Sequence, residues 1–172
     1  YCFEHNKLVF NVLAELNFDV RILLAKVVYK QDIDVARTHR VSLLRLAGED
    51  YLVDTGFGHL GARYPVKLAL DVVQDQGDAC YRIIKNKQHD YAYQIFNKGD
   101  FVTLYTFDLH HYTDADCDQS HFYCHQHPAA VFVNNLVICR KFFNDIQSLR
   151  NAEFFHIQNG KTQITKITSA EQ

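Results

Sequence analysis

A chain of 172 residues with 48% hydrophobic residues is long enough for one substantial core, or for one domain and part of another, and is not a disordered tail. Its net charge of −2 gives no basic surplus for a nucleic-acid backbone, and no run approaches the roughly 18 apolar residues of a membrane span, so neither nucleic acid nor membrane is an expected partner. Five cysteines without compact spacing, and no basic-then-apolar leader, argue against a secreted disulfide framework and for a reducing, cytoplasmic setting.

The chain opens Tyr1-Cys2-Phe3-Glu4-His5-Asn6, and from there Leu8, Val9, Val12, Leu13 and Leu16 recur at helical spacing. This predicts a helix ending near Asn17, with Cys2 at or near its N-terminus. Unsatisfied N–H groups and the positive end of the macrodipole favour an anion there, and the thiolate is the nucleophilic form of a thiol. Glu4 in the first turn suits the macrodipole and reads as a structural acid.

Residues 19–29 are rich enough in branched side chains for a strand, followed by a polar connection over 30–34. The segment His39 to Leu46 alternates, Ala47-Gly48-Glu49-Asp50 turns the chain, and Tyr51-Leu52-Val53-Asp54 returns it, so a hairpin brings His39 and Asp54 to one end of a sheet. Cys2, His39 and Asp54 are then candidates for nucleophile, base and orienting carboxylate. Directly after Asp54, Gly56, Gly58 and Gly61 punctuate Phe57, His59 and Leu60, making a loop that can approach a ligand closely. An aromatic between two glycines can pack on an aryl ring or simply fill the core.

The apolar run 66–73 does not declare its state. Strands are expected over 80–84, 91–96 and 101–107, the last two joined through Asn97-Lys98-Gly99-Asp100. From Leu109 to Pro128 the composition turns to His, Asp and Gln and reads as a long connection. A strand over 131–139 follows, then a hairpin of 153–157 and 163–167 about Asn159-Gly160, and residues 168–172 read as the start of a helix. The fold class is α+β: a helix carrying the nucleophile packed on an antiparallel β-barrel or meander, followed by part of an α/β lid domain. The expected division is 1–18 for the nucleophile-bearing helix, 19–110 for the barrel-like domain and 111–172 for the connection and partial lid.

Cys-Phe-Glu-x-Asn (Cys2 to Asn6), Thr38-His39 and Val-Asp-x-Gly-Phe-Gly (Val53 to Gly58), in this order and at these intervals, resemble the arylamine N-acetyltransferases. The resemblance is strong over the first 61 residues and weaker beyond. It implies transfer of acetyl from acetyl-CoA, a co-substrate, to arylamines or arylhydrazines through an acetylated Cys2, with no metal. It makes Phe57, with His59, the substrate wall, and Thr38, Gly56 and Gly58 the contacts expected for the cofactor. Against the family, no helical domain precedes Tyr1, and a chain with no methionine reads as a fragment. His127-Pro128 and Phe132 follow the family's His-Pro-x-Ser-x-Phe, with Ala130 where a serine is usual.

Two other chemistries compete. His110, His111, Cys117, His121, Cys124, His125 and His127 are possible zinc ligands, but no Cys-x-x-Cys pair is present and a polar connection accounts for them better. A transglutaminase-like or other cysteine hydrolase would use the same Cys, His, Asp order on amides. Oligomeric state and preferred aryl substrate are not written in the sequence.

Overall fold

In the computed structural model, which describes residues 1–30, 34–88, 90–143 and 145–169, the opening segment forms helix α1 (Cys2–Glu15). It stops in a Schellman arrangement. Asn17 takes a left-handed φ of 60°, its N–H donates to Ala14 O, and the Phe18 N–H donates to Leu13 O. The buried face is Cys2, Phe3 and Asn6, with Val9, Phe10 and Leu13 half-buried, whereas Leu8, Val12 and Leu16 are exposed.

Strands β1 (Asp19–Val27), β2 (His39–Leu46), β3 (Glu49–Val53), β4 (Val66–Lys67), β5 (Gln74–Asp75), β6 (Cys80–Lys85), β7 (Tyr91–Asn97) and β8 (Asp100–Phe107) form one eight-stranded antiparallel sheet in the order β4-β3-β2-β1-β8-β7-β6-β5. The hairpin turns are two residues long: Ala47-Gly48 and Lys98-Gly99 both take positive φ, as the tight turns that match strand twist require.

The sheet curls nearly closed, and two glutamines stitch the gap. Gln74 accepts from the Lys67 N–H and donates to the Lys67 carbonyl, both at 2.8 Å, which imitates a rung between the outermost strands β4 and β5. Gln76 does the same for Arg63 and Tyr64 at 2.8 to 3.0 Å. Edge backbone groups that would otherwise invite pairing with another chain are thereby occupied. The short run 66–73, whose state the sequence left open, is thus the seam of a barrel.

Inside it, alternate residues Leu23, Ala25, Val41, Leu43, Tyr93 and Tyr105 belong to the buried core. Strand β2 is buried on both faces over its first six residues. Val41 and Leu43 point into the barrel, and the intervening Arg40, Ser42 and Leu44 lie toward α1, which packs on β1 and β2. The expected α+β arrangement of a helix on an antiparallel barrel is what the structure has.

The chain divides into two compact units, Tyr1–His121 and Phe122–Gln172. The second holds the C-terminal end of α2 (Asp114–Gln126), the short helix α3 (Val131–Asn134) and a four-stranded antiparallel sheet of β9 (Val137–Lys141), β10 (Asp145–Arg150), β11 (Glu153–Gln158) and β12 (Lys161–Lys166), paired in that order. The hairpin about Asn159-Gly160 is as expected.

Two expectations are corrected. Residues 109–128 are not all connection, because α2 occupies most of them. Its start is set by Thr113 and Asp116, which hydrogen-bond each other reciprocally: the Thr113 N–H and hydroxyl both reach Asp116 Oδ2 at 2.7 Å, and the Asp116 N–H reaches the hydroxyl at 3.4 Å. The run 131–139 is not one strand, because its first four residues are helical and the strand begins at Val137. Of the helix start expected over 168–172, residues 170–172 lie outside the described residues, as do 31–33 of the connection over 30–34.

Candidate active site

Three separate elements deliver the site. Cys2 begins α1, His39 begins β2, and Asp54 follows β3; the β2–β3 register, with Ser42 opposite Val53, brings His39 and Asp54 out at the same end of the hairpin. His39 Nε2 lies 2.7 Å from Asp54 Oδ2, and the two side chains are only 3% and 6% exposed. Cys2 acts on the same ring electrostatically, and its Sγ sits 3.9 Å from the Thr38 carbonyl oxygen.

A residue to which the sequence assigned no task ties these elements together. Asn6, 1% exposed, donates from Nδ2 to the Arg40 carbonyl at 2.6 Å and to Asp54 Oδ1 at 2.9 Å. Its Oδ1 accepts from the Thr55 N–H at 2.8 Å and the Thr55 hydroxyl at 3.1 Å. One amide therefore fixes the helix of Cys2, the strand of His39 and the loop of Asp54. The signal was its position four residues after Cys2, on the same helical face. Replacing Asn6 with alanine strands several buried polar groups and is expected to lower stability by about 2–4 kcal/mol, read from urea unfolding.

Asp54 Oδ1 accepts a further bond from the Gly56 N–H at 2.9 Å. Gly56 itself lies against α1: a Cβ there would fall 2.5 Å from Cys2 Cα and 2.8 Å from Asn6 Nδ2. The loop after β3 can touch the first turn of α1 because this position carries no side chain.

Around the pair the barrel supplies aromatic rings. Phe57 stands edge-on to His39 with centroids 5.3 Å apart, and Tyr105 lies 5.1 Å from His39 and 5.4 Å from Phe57. Tyr93 and Tyr81 continue the stack at 4.8 and 5.6 Å. Tyr105, far along the chain, was not legible as a site residue in the sequence. Burial, with the Asp54 carboxylate next, pushes its phenol well above the usual range, so it stays neutral.

Burial by itself would strip the proton from His39, but the charge of Asp54 and the bonds to Asp54 and Cys2 outweigh it and push the imidazolium's pKa up to about 10. For Asp54, burial opposes ionisation, yet His39, Asn6 and the Gly56 N–H hold its carboxyl below the usual value. The His39 contribution to stability is complete below its unfolded value of 6.5 and is lost as pH rises through about 10; that of Asp54 is complete above 3.8 and is lost as pH falls through its lowered folded value. The stability gap between the protein and a His39→Gln variant is therefore expected to be widest between about pH 4 and 6.5 and to close toward pH 10, as measured by urea unfolding across pH.

Of the other residues singled out, Thr38 presents its carbonyl to Cys2, Gly56 contacts Cys2 and Asn6, and Gly58 and the half-buried His59 lie in the short helical turn Gly58–Leu60 beside Phe57. The histidines and cysteines of 110–127 do not converge: among the described residues no group of three or more metal-ligating side chains occurs. Among those residues, too, no helix is long and apolar enough to cross a membrane.

A family model described as N-acetyltransferase matches residues 1–172. The chain is 33% identical to the arylamine N-acetyltransferase of Escherichia coli over 93% of this chain and 57% of that protein, and 32% identical to that of Mycolicibacterium smegmatis over 100% and 64%. Among solved structures, a Mycobacterium marinum arylamine N-acetyltransferase in complex with CoA superposes with a TM-score of 0.93 at 27% identity, covering 99% of this chain and 65% of that one. The M. smegmatis enzyme superposes with a TM-score of 0.93 at 30% identity, over 100% and 64%. The chain spans roughly three-fifths of the length of these relatives.

Proposed function

This chain belongs to the arylamine N-acetyltransferase family, and from that premise we propose that the protein transfers acetyl from acetyl-CoA to the nitrogen of an arylamine or arylhydrazine through an acetyl-Cys2 intermediate. The observation that carries this reading is the convergence of Cys2, His39 and Asp54 at a dry end of the barrel, with His39 held by Asp54 through Nε2.

With Nε2 committed to Asp54, the other face of the ring serves Cys2, and the raised basicity of His39 suits a thiolate–imidazolium pair. The thiolate attacks the thioester carbonyl of acetyl-CoA, and the new S–C bond forms as the bond to the CoA sulfur breaks. His39 gives its proton to the departing CoA thiolate. The amine then attacks acetyl-Cys2, its surplus proton passes to neutral His39, and Cys2 leaves as thiolate, which restores the pair. Backbone N–H groups beside Cys2 stabilise the oxyanion in both steps. Phe57, edge-on to His39, forms the wall against which the aryl ring packs, and the loop of Thr38, Gly56 and Gly58 admits the cofactor thioester.

The test is intact mass after brief incubation of the protein with acetyl-CoA alone, beside Cys2→Ala. The expected result is one added acetyl group, absent from the variant and discharged by an arylamine. Rapid, selective alkylation of Cys2 by iodoacetamide without any acetyl adduct would instead support a hydrolase.

A further inference from the structure

Arg40, next to His39 on β2, points to the other side of the strand. It is 1% exposed, yet a single ion pair accounts for it among the described residues, from Nη1 to Asp114 Oδ1 at 2.9 Å. The guanidinium lies over the Phe10 ring at 5.2 Å. Its Nε and Nη2 are buried and have no acceptor among the described residues. These two N–H groups are the side fork of a guanidinium, parallel donors spaced for the two oxygens of a carboxylate or phosphate. A buried cationic donor pair left without an acceptor is costly, so the fold carries a strong local demand for an oxyanion.

The same arginine lines a cavity of about 120 Å³ walled by Phe3 and Lys7 of α1 and by Cys117 and His121 of α2. That volume is enough for one small oxyanion. Lys7 adds a second positive charge. Two carboxylates, Glu4 and Asp118, share the wall, both exposed as Lys7 is, so the buried Arg40 donors and not a surplus of positive charge define the site.

We propose that the Arg40 side fork, assisted by Lys7, is an oxyanion site for a carboxylate or phosphate group seated between α1 and α2, separate from the acetyl-transfer centre. Its occupant ties α1, which carries Cys2, to the strand that carries His39. The oxyanion comes either from solution or from the protein, Glu4 being the carboxylate on the wall that could turn inward.

Thermal unfolding with chloride replaced by inorganic phosphate at constant ionic strength separates these. A saturable rise in Tm of about 2–5 °C, lost in Arg40→Lys and weakened in Lys7→Ala, is expected for a solution anion. Arg40→Lys keeps the charge and loses the fork, and Lys7→Ala, at an exposed position, serves if the first variant does not fold. A phosphate response that emerges only in Glu4→Gln assigns the site to the protein's own carboxylate. The proposal is overturned if neither wild type nor Glu4→Gln responds, or if both Arg40→Lys and Lys7→Ala keep the wild-type response, which marks an adventitious ion only.

Discussion

Replacing Asp54 with asparagine is expected to slow acetylation of Cys2 by roughly 10³–10⁴-fold, in line with the comparable carboxylate-to-amide change in Ser-His-Asp enzymes. The cause lies in the donors already aimed at the carboxylate. Oδ1 receives Asn6 Nδ2 and the Gly56 N–H, both at 2.9 Å, so the amide oxygen of an asparagine must take that side. Its NH₂ group then faces His39 Nε2, where Oδ2 now lies at 2.7 Å. An N–H donor there forces the ring to keep Nε2 bare and to carry its proton on Nδ1, toward Cys2. The histidine can then neither accept the thiol proton nor stay charged beside a thiolate. Single-turnover acetylation followed by mass spectrometry reads the rate, and a loss smaller than tenfold would remove Asp54 from the mechanism. Far-ultraviolet circular dichroism separates this from misfolding.

Gly56→Ala is expected to be nearly as damaging by a different route. The added methyl would sit 2.5 Å from Cys2 Cα, a backbone atom that no rotamer change can move. Either α1 or the loop after β3 must retreat, and the bonds joining Asn6, Thr55 and Asp54 stretch with it. Displacements near 1 Å at a reacting centre cost about 100-fold in rate, and overpacking of this kind costs about 1–3 kcal/mol in stability. Both readouts, Cys2 acetylation and urea unfolding, are expected to fall together. Wild-type acetylation in Gly56→Ala would show that the loop and helix do not need this approach.

Together the two variants separate chemistry from placement. The first leaves the backbone contacts of α1 in place and changes a proton; the second keeps every ionisable group and moves Cys2. Asn6 belongs to both accounts, since its side chain touches Asp54 directly and spans the junction that Gly56 makes possible.

The chain's local chemistry was legible wherever local rules dominate. Turn residues in Ala47-Gly48-Glu49-Asp50, Asn97-Lys98-Gly99-Asp100 and Asn159-Gly160 announced their hairpins, and alternation along His39 to Leu46 announced a strand. The hairpin alone placed His39 and Asp54 at a common end, because antiparallel register follows from turn length. Helix α2 was missed because its residues lack an apolar period. Its start is instead marked by Thr113 and Asp116, a short-range capping signal in a stretch dominated by His, Asp and Gln.

By itself, then, the sequence determined the candidates Cys2, His39 and Asp54, the hairpins and the α+β class, since each depends on residue type and spacing within a few turns of chain. Only the tertiary structure decided that Asn6 bridges three elements, that Gln74 bridges the gap in the barrel, that Tyr105 lies beside His39 and that Arg40 is buried with its side fork unmet among the described residues. Those facts depend on which distant backbone groups are left without partners once the sheet has curled, and hydrogen-bond demand of that kind exists only in the folded chain.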